Sequence, residues 1–131
     1  MDKKRILLVD DEECLVRTIQ LRLESSNFEV ITAMDGSEAL EKAKKEEPDL
    51  IVLDLMLPKM DGYKVCGLLK NDTRYSNIPI IILTARAQQA DIALAEEVGA
   101  DAYIIKPFEE VALLSRIKEF LEVQMVDNEE K

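Results

Sequence analysis

Four short apolar runs recur along the chain, Ile6-Leu7-Leu8-Val9, Leu50-Ile51-Val52-Leu53, Ile80-Ile81-Ile82-Leu83 and Ala102-Tyr103-Ile104-Ile105, and each is followed at once by a polar residue. Their length and composition suit strands buried on both faces. Glu29-Val30-Ile31-Thr32-Ala33 supplies one more strand, second in chain order, before the turn Met34-Asp35-Gly36. The segments between the strands switch to a helical period. Glu12 to Glu24 gathers Leu15, Val16, Ile19 and Leu23 on one face, and Asp35 with Glu38 resembles a capping box that opens a helix with Ala39, Leu40 and Ala43 inward. A third helix spans about Tyr63 to Lys70. A fourth carries Ile92, Leu94, Ala95 and Val98 and stops at Gly99 as its C′ residue, and Val111, Leu114, Ile117, Lys118 and Leu121 trace an amphipathic fifth whose charged face includes Arg116 and Glu119.

Five strands alternating with five helices over short connections call for an α/β fold with a parallel sheet covered on both faces. Right-handed crossovers reduce the topologies to a few, and the expectation is a flavodoxin-like doubly wound (βα)5 sheet in strand order 2-1-3-4-5. In such a sheet ligands bind at the carboxyl edge of the strands. Asp10 and Asp11, Asp54, Thr84 and Lys106 end the four apolar runs, so the topology gathers them at that edge.

Composition narrows the chemistry. With 131 residues, 47% of them hydrophobic, the chain holds one domain, expected over residues 1–125 and followed by a frayed acidic tail over 126–131. A net charge of -10 argues against direct binding of nucleic acid or of an anionic membrane surface. No stretch approaches the roughly 20 apolar residues of a membrane span, and Met1-Asp2-Lys3-Lys4-Arg5 leads into a strand rather than a signal-peptide core, so the expected location is cytoplasmic. Cys14 and Cys66 are too far apart to form a metal or redox motif, and both are expected as buried or half-buried thiols. The chain has no histidine, which removes imidazole acid–base chemistry and most transition-metal sites.

Three carboxylates crowded on one edge repel one another unless they are protonated or share a cation. An all-oxygen donor set selects a hard ion, and Mg2+ suits it best because it binds through one or two carboxylates and phosphate oxygens. Asp54, at the end of the central strand, is the candidate nucleophile toward phosphorus. Asp10 and Asp11 are the candidate metal ligands, and Thr84 and Lys106 the groups that receive charge from a transferring phosphoryl group. Asp10-Asp11 also reads as a helix N-cap with a first-turn acid, a role compatible with metal binding.

Val9-Asp10-Asp11, Leu53-Asp54-Leu55-Met56-Leu57-Pro58 with Asp61-Gly62, Leu83-Thr84-Ala85, and Gly99-Ala100-Asp101 leading to Lys106-Pro107-Phe108 together resemble the receiver domain of bacterial two-component response regulators. The resemblance implies that Asp54 accepts a phosphoryl group from a sensor histidine kinase or phosphotransfer protein. It implies Asp11, Asp54 and the Met56 carbonyl as direct Mg2+ ligands, with Asp10 acting through water. It further implies a cis Lys106-Pro107 peptide and a switch in which Thr84 moves and Tyr103 turns inward, remodelling the face of helix four, strand five and helix five. Met56 and Arg86, two residues beyond Asp54 and Thr84, stand where the family tunes acyl-phosphate lifetime. An apolar Met56 and a cationic Arg86 predict slow self-hydrolysis.

The expected function is therefore a phosphorelay switch with no substrate turnover of its own. It would act on a downstream protein target or a missing output domain, as a monomer or a phosphorylation-dependent homodimer. Asp101, Glu110 and Arg116 lie where some receivers pair through salt bridges. A Mg-dependent phosphohydrolase with an aspartyl nucleophile is the alternative, but phosphatases of the haloacid-dehalogenase type carry an acid where this chain has Met56. A flavodoxin-like cofactor binder fits less well, since Asp10-Asp11-Glu12-Glu13 would repel phosphate.

Overall fold

The computed structural model describes residues 3–129, with backbone alone over 122–129. The chain runs β1 (Arg5–Val9), α1 (Glu13–Ser25), β2 (Glu29–Ala33), α2 (Gly36–Glu46), β3 (Leu50–Leu53), α3 (Gly62–Lys70), β4 (Ile80–Thr84), α4 (Gln89–Glu97), β5 (Ala102–Ile105) and α5 (Glu110–Glu129). All strand pairs are parallel and the order is β2-β1-β3-β4-β5, as the sequence predicts.

Alternation along each strand divides one sheet between two cores. Leu7, Val9, Ile51, Leu53, Ile80 and Ile82 point toward Ala39 and Ala43 of α2, Val65, Cys66 and Leu69 of α3, and Ala95 of α4. Ile6, Leu8, Leu50, Val52, Ile81 and Leu83 point the other way, toward Val16, Ile19 and Leu23 of α1 and Leu113, Ile117 and Leu121 of α5. Each fully buried Leu or Ile contributes about 1.5–3 kcal/mol of transfer free energy, so the apolar runs drive the layering.

Several expectations are corrected. β5 is half-buried rather than enclosed, and Ile105 is exposed, because β5 lies at the sheet edge. The inner face of α5 is Leu113, Ile117 and Leu121, with Leu114 beside it. Val111 is 60% exposed, since the i, i+4, i+8 row begins two residues later. In α4 only Ala95 is buried and Leu94 faces outward. Cys14 is exposed on α1, whereas burial pushes the Cys66 thiol up to about 11. The α5 backbone continues helically to Glu129, through the first residues of the expected tail, and the side chains there lie outside the described residues.

Two local predictions are met. Asp35 caps α2 by accepting from the Glu38 amide at 2.7 Å, while Glu38 reaches back to the Met34 amide at 2.8 Å. Gly99 follows α4 at φ +98°, a conformation that a side chain resists.

Candidate functional site

The carboxyl edge of the sheet assembles the site through register. Val9 pairs with Leu53 and Leu53 with Ile82, so Asp10 and Asp54 leave adjacent strands together, with Thr84 just beyond them on β4. Thr84 pairs in turn with Ile105, which places Lys106 at the same edge. Lys106 and Pro107 are joined by a cis peptide. Gly62 lets the chain fold back over this edge: a Cβ there would lie 2.2 Å from the Asp54 carbonyl oxygen.

Asp10 and Asp54 are almost fully buried, while Asp11 is exposed. The three offer carboxylate oxygens within 4.8 Å of one another. The Lys106 ammonium spans two of them, donating to Asp10 Oδ2 at 2.7 Å and Asp54 Oδ2 at 3.3 Å. The other Asp54 oxygen accepts from the Leu55 amide at 2.7 Å and the Met56 amide at 3.3 Å. Burial raises the pKa of Asp10; its bonds to Lys106 and the Glu12 amide oppose the rise, and the Asp54 charge adds to it. Burial also disfavours the Lys106 cation, but Asp10 and Asp54 outweigh it and hold the amine above its ordinary pKa.

This all-oxygen set suits a hard divalent cation. Three carboxylates converge, and one lysine between two of them leaves the cluster net negative, so the Asp54 charge adds to the burial that raises the pKa of Asp10. The Met56 carbonyl belongs to the loop that leaves Asp54. Asp10 is not the N-cap of α1, however. Glu12 occupies that position without a side-chain cap bond, and Asp10 Oδ1 accepts from the Glu12 amide at 3.0 Å.

Thr84 is fully buried, and its hydroxyl stands 3.5 Å from the Arg86 amide. Met56, 57% exposed, and Arg86 line one open groove of about 610 Å3 with Asp11, Pro58 and Tyr63. Tyr103 is half-buried against the core of the α3 side and donates its hydroxyl to the Arg86 carbonyl at 2.8 Å. Its phenol is pushed up to about 12, by burial first and then by Tyr63 and Asp91. Arg86 does not reach into the acid cluster; its guanidinium pairs with Asp91 at 3.1 Å. Two of the charges considered for pairing between copies have partners within the chain, Asp101 with Lys70 at 2.8 Å and Arg116 with Glu119 at 3.0 Å.

Sequence reasoning missed five contributors. The Leu55 and Met56 amides act through backbone, which residue type does not signal. Asp61 caps α3 by accepting from the Lys64 amide at 3.0 Å, a role its place before the helix made readable. Tyr63 and Asp91 meet only through tertiary packing.

Comparisons with known proteins bear on the family and the fold. A family model described as "Response regulator receiver domain" matches residues 6–118. The chain is 50% identical over 118 residues to the alkaline phosphatase synthesis transcriptional regulatory protein PhoP of Bacillus subtilis, a match covering 90% of this chain and 48% of that one. It is 40% identical to the response regulator PleD of Caulobacter vibrioides, covering 95% of this chain and 28% of that protein. Among solved structures, a response regulator receiver domain protein (CheY-like) from Methanospirillum hungatei superposes with a TM-score of 0.89 at 32% identity, covering 96% of this chain and 99% of that one. The chain thus spans about half the length of PhoP and less of PleD. Among the described residues no helix is long and apolar enough to cross a membrane. With its strand order, its converging acids and its match over residues 6–118, the chain belongs to the receiver domains of two-component response regulators, a family of signalling switches.

Proposed function

We propose that this chain is a phosphorelay switch, spanning residues 1–125, that accepts a phosphoryl group on Asp54 from the phosphohistidine of a sensor kinase or phosphotransfer protein. The supporting observation is the state of the Asp54 carboxylate. It is buried at a strand end, one oxygen is fixed by two backbone amides, and the other lies within reach of Lys106. In the transfer, an Asp54 oxygen attacks phosphorus, the bond from phosphorus to the donor breaks, and its electron pair leaves with the donor. The fixed amides aim the nucleophile, and Lys106 and Thr84 receive charge on the phosphoryl oxygens.

Asp11, Asp54 and the Met56 carbonyl would hold Mg2+ directly, with Asp10 acting through water. When bound, the ion supplies neutralising charge that lets these acids and a phosphoryl group coexist. Thr84 and Tyr103 couple the site to the face of α4, β5 and α5, which controls a downstream protein target or an output domain. The chain works in the cytoplasm, as a monomer or a homodimer formed on phosphorylation, with no contact to nucleic acid or membrane of its own. Apolar Met56 and Arg86 at the groove slow self-hydrolysis.

Radiolabelled acetyl phosphate tests the chemistry. In magnesium buffer the chain should take up label that hydroxylamine releases, and EDTA should prevent the uptake. Hydroxylamine-stable label, or uptake indifferent to EDTA, would contradict the proposal.

A further inference from the structure

The connection from β4 to α4 carries a polar network that phosphoryl acceptance does not use. Arg86 is held at both ends: its carbonyl accepts from the Tyr103 hydroxyl at 2.8 Å, and its Nη1 donates to Asp91 Oδ1 at 3.1 Å. The same carboxylate oxygen lies 3.1 Å from the Tyr63 hydroxyl, which is also 3.3 Å from the Asp91 carbonyl. Asp91 is thereby fixed in the first turn of α4, while Arg86 and Tyr63 line the groove shared with Asp11 and Met56. The ion pair is partly solvated, with side-chain exposures of 45% and 16%. Pairs of this kind are weak. A phosphoryl group brings close to two negative charges and three acceptor oxygens, and it binds guanidinium more strongly than one carboxylate does.

We propose that Asp91, held by Tyr63, is a positioning residue that parks the Arg86 guanidinium away from Asp54, and that phosphorylated Asp54 competes with Asp91 for it. The inference rests on the phosphorelay reading above. Self-hydrolysis begins when a water oxygen attacks phosphorus. The bond from phosphorus to Asp54 breaks, its electron pair stays on the carboxylate, and inorganic phosphate leaves carrying the water's oxygen. A guanidinium paired with the phosphoryl oxygens obstructs that water, whereas one parked on Asp91 leaves its path open. Asp91 thus shortens the phosphorylated lifetime without touching the reacting atoms.

A double-mutant cycle tests the competition. The chain is phosphorylated with acetyl phosphate and magnesium, the donor is removed, and loss of the phosphoryl group is followed for the wild type, Asp91→Asn, Arg86→Ala and the double variant. Asp91→Asn should lengthen the lifetime by about threefold or more, as expected for release of a weak ion pair. The double variant should match Arg86→Ala, and Asp91→Glu should restore the wild-type lifetime. A lifetime unchanged or shortened in Asp91→Asn overturns the inference, as does equal lengthening in the Arg86→Ala background, and both leave the phosphorelay reading standing. A wild-type chain that takes up no phosphoryl group overturns the reading and the inference together.

Discussion

Asp10 bears the electrostatic strain of the site. It is 2% exposed, its charge is opposed by burial and by Asp54, and Lys106 answers it only in part. In magnesium-free buffer Asp10→Asn should stabilise the fold by roughly 1 kcal/mol, because it replaces a strained buried charge by a neutral isostere. Urea unfolding reads the gain, and the same variant should weaken magnesium binding. The pH dependence carries the same sign. The folded pKa of Asp10 is raised, so its cost is full above that pKa and fades as pH falls through it. Asp35 and Glu38 are lowered by their backbone bonds, so their contribution is present above their ordinary values of 3.8 and 4.5 and is lost as pH falls further. Without magnesium, urea midpoints should therefore pass through a maximum at mildly acidic pH, and Asp10→Asn should flatten the rise toward it. At the groove, Met56→Asn adds a group that can hydrogen-bond an attacking water, so a decay assay should show faster loss of the phosphoryl group.

Among the elements, α5 illustrates what periodicity leaves open. Val111 and Leu113 are both apolar and near the helix start, and only packing decides between them: Leu113 is 2% exposed and Val111 60%. Leu113→Ala should cost about 2–4 kcal/mol and Val111→Ala less than about 0.5 kcal/mol by chemical denaturation. Equal costs would contradict the packing of α5 on the sheet. The central strands were legible because enclosure on both faces demands unbroken apolar runs, as in Ile80 to Leu83. β5 carried the same signal and lies at the edge, since an apolar run does not state how many neighbours it has. α4 was the least legible helix. It is short and buries only Ala95, so Leu94 faces out despite its hydrophobicity.

Across the whole molecule, parallel order converts four separate strand ends into one site. Asp10, Asp54 and Lys106 were readable because each ends an apolar run, and the structure joins them through 2.7 and 3.3 Å contacts over sequence separations of 96 and 52 residues. The Asp91 carboxylate, shared by Arg86 and Tyr63, was not readable, since it depends on how α3 and α4 approach one another. The central claim is that this convergence makes Asp54 the phosphoacceptor. Treating the chain with acetyl phosphate and magnesium, reducing it with borohydride and mapping its peptides by mass tests this directly, because reduction converts a phosphorylated aspartate to homoserine. The account predicts homoserine at position 54 and a fully unmodified Asp54→Ala chain; homoserine at Asp10 or Asp11 instead, or none at any position, would contradict it.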